Sequence, residues 1–409
     1  MMWLIRINLP YQEPRLLESV NINYDGVVVN FKSALLLYKN RHTDILRFAP
    51  LISIDPDLTF MTCASPSDKE TVMLAFNIFN LKGYKPKWDK QPLDLSALRD
   101  DMIKTIATKS IDLQREFAGG KINAVTLEFF GIRVEEVERR RPRYILFAPY
   151  FVVTHIKDPE YEINKKLLEY SIQAKRDDEE LYAVIALDKA LLSNIDALKQ
   201  VLRDYVNYSN KVDGYAVWIV DFDETEEDFD SLRMFALFTK TLKERSGKPV
   251  INLYGGYFSL LLSKLSIIDG IVTKICYRQR RSRCIVDGGP PIEQYYFSLI
   301  KTKMNIHTVA LIVHEDQSLK CKCPICSKHF DEIVRKELEK PRSATNELKK
   351  HFLYAFGDEI KHVSATSLNT LLNELKQNYE KAESLISHIG YIDHLITWYN
   401  VISKLSEVT

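Results

Sequence analysis

Three cysteines stand close together near the end of the chain, at Cys321, Cys323 and Cys326, and His351 follows them. Three sulfur donors and one imidazole form a set that zinc takes in a tetrahedral site. Pro324 favours a turn that lets the sulfurs point at one centre. Because four protein ligands leave no open position for water, the spacing predicts a structural zinc site and not a catalytic one.

The fourth ligand and the metal itself both have alternatives. His329 lies shortly after Cys326 and is the less favoured fourth ligand. Three reduced cysteines in a turn are the alternative to a metal site, although free cysteines are usually dispersed and buried. Six cysteines in the whole chain, three of them in this motif, favour a reducing compartment over a disulfide framework.

Composition is that of a globular protein with a large core. The chain has 409 residues, of which 46% are hydrophobic and 27% charged, with a net charge of +1. The apolar start at residues 1–6 is too short for a signal peptide, and no later run approaches the roughly 20 apolar residues of a membrane span. These features predict a soluble, cytoplasmic protein without a membrane partner.

Apolar strands alternate with amphipathic helices from residue 144 onward, which predicts a parallel sheet covered on both faces. Earlier strands at 27–31 and 46–54 favour the α/β class and a closed TIM-type (β/α)8 barrel over an open doubly wound sheet. No Gly-rich dinucleotide fingerprint follows an early strand. The predicted domains are a barrel over 1–315 and a helical zinc-binding subdomain over 316–409. The predicted later strands are 144–150, 181–187, 214–220, 250–254, 270–275 and 308–313.

Carboxylates follow several of these strands. In a barrel, catalytic side chains come from the C-terminal strand ends. Asp188 follows one predicted strand, and Asp221 and Asp223 follow the next, so all three are candidate catalytic acids. Asp55-Pro56-Asp57 follows an earlier strand but is more typical of a turn. Each of these aspartates, taken alone, is also typical of a helix cap or a turn.

Arginines cluster after the strand predicted at 270–275. Arg278, Arg280 and Arg281 follow this strand, and residues 139–143 form a second basic patch. Guanidinium groups pair with phosphate oxygens and make binding salt-dependent. Such a run is equally typical of a solvated surface. The pattern favours nucleic acid as a partner, with Tyr254 as a candidate for stacking on an extruded base.

The cysteine motif placed directly after a barrel resembles the tRNA-guanine transglycosylase superfamily. Segment 213–217 is similar to the strand that lines the base pocket in that family. Tyr254, Gly255 and Gly256 end a segment similar to its Gly-containing strand end. The resemblance covers roughly residues 144–360 and implies that these residues and the arginine loop bind base and nucleic acid.

The first 140 residues, roughly, do not match the tRNA enzymes clearly and lack their Asp-Ser-Gly-Gly-Phe-Gln segment. No further RNA-binding module follows the zinc subdomain. The chain is therefore more similar to the DNA-modifying, DpdA-like branch. The resemblance implies a pentosyltransferase that exchanges guanine in DNA, or in tRNA, for a 7-deazaguanine such as preQ0 through a carboxylate nucleophile. It also implies a structural zinc ion and a homodimer or a partner subunit.

One departure from the family concerns the nucleophile. The transglycosylases carry two aspartates three positions apart near this strand, whereas this chain has only Asp269, with Val272 at the second position. Either Asp269 is itself the nucleophile, or another acid such as Asp221 has taken the role, or the chemistry is lost. The missing aspartate favours one alternative, a non-catalytic, nucleic-acid-binding subunit of a modification complex. Another alternative, of a different class, is an unrelated zinc-stabilised barrel enzyme acting on small molecules, a hydrolase or an aldolase, and Lys274 is the best candidate for an aldolase-type reactive lysine.

Overall fold

Eight parallel strands form a closed barrel in the order of the sequence, which confirms the predicted TIM-type (β/α)8 fold. The computed structural model describes residues 1–46, 49–63, 69–81, 84, 86, 88, 92–119, 142–275, 279–283, 294–386 and 392–407. The barrel strands are β1 (Met2–Ile7), β2 (Gly26–Asn30), β3 (Leu51–Asp55), β4 (Arg143–Phe147), β5 (Glu180–Asp188), β6 (Gly214–Val220), β7 (Val250–Asn252) and β8 (Gly270–Lys274). Strand β1 pairs with both β2 and β8 and so closes the barrel.

Side chains alternate along the strands between the barrel interior and the surrounding helices. Leu4, Val28, Ile145 and Val272 belong to the interior cluster, whereas their neighbours in sequence face the helices. Every residue of β6 is buried, which explains its continuous apolar sequence. Strands β2 and β3 approach so closely that a Cβ added to Gly26 would lie 2.4 Å from a backbone oxygen.

Helices cover the outside of the barrel. They are α1 (Glu13–Glu18), α2 (Phe31–Lys39), α3 (Lys69–Ile78), α4 (Asp100–Gly119), α5 (Pro159–Ala174), α6 (Ile195–Val206), α7 (Phe229–Ser246) and α8 (Tyr257–Lys264). The acidic run before α7 supplies its cap, since the Asp228 carboxylate accepts from the amide of Ser231 at 2.7 Å. Gly247 ends α7 in the left-handed conformation, with φ at 64°.

Within the described part of the chain, a hairpin and five α-helices follow the barrel. The hairpin pairs β9 (Tyr295–Phe297) with β10 (Thr302–Met304) in antiparallel fashion. The helices are α9 (Ile306–Glu315), α10 (Cys326–Glu339), α11 (Thr345–Ala365), α12 (Leu368–Ile386) and α13 (Asp393–Ser406). Strand β9 and helix α8 pack against α11, and α13 packs against α7. The C-terminal helices therefore rest on the barrel helices that follow β6 and β7.

The predicted strand at 308–313 is wrong, because these residues lie in α9. Val309, Ile312 and Val313 are buried at helical spacing, whereas Leu311 between them is 71% exposed. A continuous apolar run does not distinguish a buried strand from such a helix. The eighth barrel strand is instead β1, at the apolar start of the chain.

Two further observations concern membrane spans and the cysteines. None of the described helices combines the length and the apolar character needed to cross a membrane. Cys63 is disulfide-bonded, which the preference for a reducing compartment did not anticipate. Cys321, Cys323 and Cys326 are free thiols, as the metal-site prediction requires.

Candidate active site and metal centre

The four predicted metal ligands lie together. Ligand atoms of Cys321, Cys323, Cys326 and His351 all fall within 4.8 Å of one another. Nδ1 of His351 is 3.5 Å from the sulfur of Cys323 and 3.3 Å from that of Cys326. This group can hold a metal ion, and its donor set is compatible with zinc. The exposed His329 pairs with Glu332 instead, so the structure selects His351 as the fourth ligand.

The hairpin orients the histidine of this centre. Nε2 of His351 lies 2.7 Å from the carbonyl oxygen of Tyr296, which can only accept, so Nε2 donates and Nδ1 is left to face the sulfurs. The ring of Tyr295 stacks on the imidazole at 3.8 Å. Backbone amides of Cys323 and Cys326 each donate to a neighbouring cysteine sulfur at 3.4 Å. Strand β9 therefore links the metal centre to the barrel side of the molecule.

The C-terminal mouth of the barrel contains a buried ion pair. Nη1 of Arg6 lies 2.6 Å from Oδ2 of Asp55, and both side chains are essentially inaccessible to solvent. Tyr150 donates its hydroxyl to Oδ1 of the same carboxylate at 2.7 Å. Burial raises the pKa of Tyr150 well above its usual value, so the phenol stays protonated and remains a donor. The Asp55 carboxylate is thus paired with a guanidinium and a phenol that are both buried.

A second arginine reaches into this mouth from the loop after β8. Nη2 of Arg281 lies 2.6 Å from Oδ2 of Asp57, and Nη1 donates to the hydroxyl of Tyr254 at 3.1 Å. Its guanidinium carbon lies 5.0 Å from the ring centroid of Trp218, a cation–π distance. Asp57 is 1% exposed and also accepts from the amide of Thr59. Arg281 therefore occupies a pocket made of a carboxylate, a phenol and an indole face.

Asp221, in the loop after β6, contacts the segment that carries Arg281. Its amide donates to the carbonyl oxygen of Arg281 at 3.0 Å, and its carboxylate accepts from the hydroxyl of Ser282 at 2.5 Å. Asp221 is half-buried and has φ at 56°, the left-handed region that a non-glycine residue rarely adopts. The structure thus brings Asp221, Arg281, Asp57 and Tyr254 together at one end of the barrel.

Two more acids follow Asp221 and face the C-terminal helices. Oδ1 of Asp223 accepts from the amide and hydroxyl of Thr225 at 3.1 and 2.7 Å, and the residue is 3% exposed. Glu224 is buried and accepts from the amides of Gly256 and Ser259 at 3.0 and 3.3 Å. Burial raises the pKa of Glu224 to about 7 despite these bonds. Glu224 therefore joins the loop after β6 to the start of α8.

Replacing Glu224 with Gln will change how stability depends on pH. The folded pKa of Glu224 is about 7 against a usual value of 4.5. Its contribution is therefore fully present below pH 4.5 and is lost as the pH rises through 7. At about 1.4 kcal/mol per pKa unit, the wild-type chain will lose on the order of 3 kcal/mol relative to the variant between pH 4.5 and 8. Urea unfolding at several pH values measures this difference, and parallel curves for the two proteins would contradict it.

The remaining predicted residues lie elsewhere. Asp188 is half-buried at the end of β5 and caps the next turn by accepting from the amide of Ala190 at 2.9 Å. Arg280 is exposed and pairs with Glu226 at 3.0 Å. Of the two basic stretches, Arg278 and residues 139–141 lie outside the described part of the chain.

Asp269 requires a correction. It lies just before β8, at the N-terminal end of the barrel, where it accepts from the amide of Val250 at 2.9 Å and from Lys243 at 2.7 Å. Parallel strands put all C-terminal ends at the opposite end. Asp269 therefore fixes the start of β7 and lies at the end of the barrel opposite to Asp221, where a catalytic acid of a barrel is not expected.

Sequence reasoning missed part of the mouth. Arg6 lies in the unpredicted strand β1, and Tyr150 lies in what was predicted as a strand. Asp55 and Asp57 were interpreted as turn residues. The sequence did carry one signal for Asp55 and Asp57. Two acids separated by one residue lie at the end of a strand, and strand ends form the mouth of a barrel.

Comparison with known proteins identifies no family. No protein-family model matches the chain, and no curated protein matches it. A solved structure that it resembles is the N-terminal endo-1,4-beta-D-xylanase 10B of Clostridium thermocellum, with its CBM22-1 and GH10 modules, in complex with xylohexaose. The match has 10% sequence identity and a TM-score of 0.32, and it covers 61% of this chain and 57% of that chain. Similarity at this level carries no argument about function.

Proposed function

We propose that the barrel mouth binds a guanine-type base of a nucleic acid and exchanges it for a 7-deazaguanine, in the manner of a transglycosylase. The observation that carries this proposal is the position of Arg281. Its guanidinium lies over the indole face of Trp218 with two nitrogens directed at Asp57 and Tyr254.

A guanidinium and the Watson–Crick edge of guanine share their chemistry. Both are planar, and both present adjacent N–H donors on one edge, which a carboxylate accepts in a paired fashion. The face of either group stacks on an aromatic ring. A pocket that accommodates the guanidinium of Arg281 between Asp57 and Trp218 is therefore suited to the N1–H and 2-amino edge of guanine once Arg281 withdraws.

Asp221 is the proposed nucleophile. It is half-buried at the mouth, beside the segment that Arg281 occupies. In the exchange, a carboxylate oxygen of Asp221 forms a bond to the anomeric carbon of the sugar while the bond from that carbon to the base nitrogen breaks. The base leaves with the electron pair of the broken bond and takes up a proton. The incoming 7-deazaguanine then reverses these steps, gives up one proton and releases the carboxylate. Atoms and charge balance without a further reactant.

The proposed metal is zinc in a structural role. Three sulfurs and one imidazole nitrogen fill all four positions of a tetrahedral ion, and three of the four ligands are buried. The centre lies among the C-terminal helices, where no described strand end of the barrel reaches it. Zinc would therefore fix α10 and α11 relative to the hairpin and would take no part in base exchange.

A second candidate is a base- or nucleic-acid-binding subunit without catalysis. The observation that favours it is the composition of β8. Asp269 lies at its N-terminal end, Val272 is buried in the barrel interior, and Lys274 at its C-terminal end donates to the carbonyl oxygen of Arg280. No residue of β8 therefore presents a carboxylate at the mouth.

Base exchange distinguishes these candidates. Duplex DNA and tRNA labelled in guanine are each incubated with the protein and preQ0, and release of label is measured. We expect release from one of the two nucleic acids, and a decrease of about 100-fold or more for Asp221→Asn and for Asp57→Asn. Asp196→Asn, whose side chain is 95% exposed on α6, is the matched control and should retain the wild-type rate.

Two outcomes would contradict this proposal, one for the nucleophile and one for base exchange itself. Release of label by Asp221→Asn at the wild-type rate would exclude Asp221 as the nucleophile. Absence of release from both substrates, with binding that weakens for Asp57→Asn, would favour the second candidate. Binding is measured at several salt concentrations, because phosphate contacts make nucleic-acid affinity fall with salt.

A further inference from the structure

A short segment of the loop after β8, residues 279–283, lies across the C-terminal mouth of the barrel. It begins beside the end of β8, where the side-chain amide of Gln279 accepts from the backbone amide of Lys274 at 2.7 Å and donates to its carbonyl oxygen at 2.9 Å. It ends at Arg283, which pairs with Glu160 at the start of α5. Helix α5 follows β4, which lies opposite β8 in a barrel of eight strands. This segment, which we call the strap, therefore spans the mouth.

Each of the three arginines in the strap binds an acid from a different loop at the mouth. The pairs are Arg280 with Glu226 at 3.0 Å, Arg281 with Asp57 at 2.6 Å and Arg283 with Glu160 at 3.1 Å. The central pair is largely buried, whereas the side chains of Arg280 and Arg283 are 44% and 29% exposed. Exposed ion pairs contribute little stability and are screened by salt. The two outer pairs are therefore the weak attachments of the strap.

Adjacent residues of the strap occupy both parts of the proposed site. Arg281 fills the pocket beside Asp57 and the indole face of Trp218. The hydroxyl of Ser282 donates to the carboxylate of Asp221 at 2.5 Å, and the carbonyl oxygen of Arg281 accepts from the Asp221 amide at 3.0 Å. The base pocket and the proposed nucleophile are therefore both covered in this structure, and they become accessible together when the strap leaves.

Phosphate groups are suited to take over the two outer arginines. A guanidinium binds phosphate oxygens through paired, charge-assisted hydrogen bonds, which are stronger than those between neutral groups. Arg280 and Arg283 flank Arg281 and are partly exposed, so both can contact a ligand that approaches the mouth from outside. A nucleic-acid strand carries one phosphate per nucleotide and can therefore bind both arginines at once. Their release from Glu226 and Glu160 would leave Arg281 as the remaining arginine that attaches the strap.

We infer that the strap is an autoinhibitory closure of the barrel mouth, and that nucleic-acid phosphates release it. In the free protein the strap covers the base pocket and Asp221. Phosphates that bind Arg280 and Arg283 remove its outer attachments, and Arg281 and Ser282, which lie between these two residues, then withdraw from the site. The mouth thus opens where a nucleic acid is bound. This inference rests on the proposed function for the nature of the polyanion, whereas the closure itself rests on the contacts of the strap.

Hydrogen exchange at the amide of Asp221 in the full chain measures opening, because this amide donates to the strap. The double variant Glu160→Gln, Glu226→Gln neutralises both outer acids. We expect its Asp221 amide to exchange about fivefold faster than that of the wild type at low salt, the combined effect of two weak ion pairs. The matched control is Glu180→Gln, which neutralises the exposed partner of Arg143 at the N-terminal end of the barrel and should exchange as the wild type does.

Duplex DNA and tRNA, added without a free base, are the polyanion probes. We expect one of them to accelerate exchange of the Asp221 amide in the wild type by about fivefold and to add little in the double variant. Equal exchange in the double variant and the wild type would show that the outer pairs do not hold the strap. Absence of binding by both probes, or binding that leaves exchange unchanged or slows it, would overturn release by phosphates. Release of label in base exchange is measured separately, so failure of that reaction is distinguished from failure of the closure.

Discussion

Cys326→Ala will abolish metal binding and unfold the helices that follow the hairpin. Cys326 is fully buried at the start of α10, and its sulfur lies 3.3 Å from Nδ1 of His351 on α11. Binding of structural zinc supplies about 10–16 kcal/mol in zinc-finger peptides, far more than an ordinary point mutation removes. We expect one zinc per wild-type chain and none in the variant, with loss of helical circular dichroism and new protease cleavage between residues 326 and 365.

The matched control is His329→Ala. His329 lies within one turn of Cys326 on α10 but is exposed and pairs with Glu332. This variant should keep its metal and its melting temperature. A chelator applied to the wild type should reproduce the effect of Cys326→Ala. Retention of zinc and of protease resistance by Cys326→Ala would show that these residues do not form a structural metal site.

Arg6→Met will destabilise the barrel by about 3 kcal/mol or more, because it leaves the Asp55 carboxylate buried without its main cation. Asp55 would keep the hydroxyl of Tyr150 and a more distant guanidinium, that of Arg281 at 3.8 Å. Neither replaces the contact of 2.6 Å that Arg6 makes. Urea unfolding of the wild type and the variant measures the loss.

A double-mutant cycle separates the pair from the packing around it. Adding Asp55→Leu to Arg6→Met removes the buried charge and should recover a large part of the stability, since apolar replacements of buried ion pairs are often neutral or stabilising. Tyr150→Phe, which removes one hydrogen bond, should cost about 1 kcal/mol. A loss below that value for Arg6→Met would show that the ion pair contributes little.

The sequence predicted those parts of the fold that have a local pattern of apolar residues. The strands β4 to β8 and the helices between them follow from apolar runs bounded by turns, and the barrel follows from their alternation. Strand β1 was missed because its role depends on β2 and β8 at its two sides, which no local pattern encodes. Helix α9 was mistaken for a strand because Val309, Ile312 and Val313 belong to a run that suits either element.

The same difference between local and long-range signals applies to the predicted site residues. The metal ligands were predictable because three of them lie within one short motif and zinc demands that donor set. The network at the mouth was not, since Arg6, Asp55 and Tyr150 are distant in sequence and meet only when the barrel closes. Asp269 was a candidate through the family resemblance alone, and its position just before β8 puts it at the N-terminal end of the barrel, away from the mouth.

If the mouth binds a base as proposed, the position of Arg281 affects the affinity that a binding experiment will measure. A ligand that takes the indole face of Trp218 competes with a guanidinium tethered to the same chain, and a short tether gives such a group an effective concentration in the millimolar range, by order of magnitude. The apparent dissociation constant equals the intrinsic one divided by the fraction of molecules in which Arg281 has withdrawn. Weak binding to the free protein is then the expected consequence of an internal competitor, and shortening that side chain raises affinity without adding a contact.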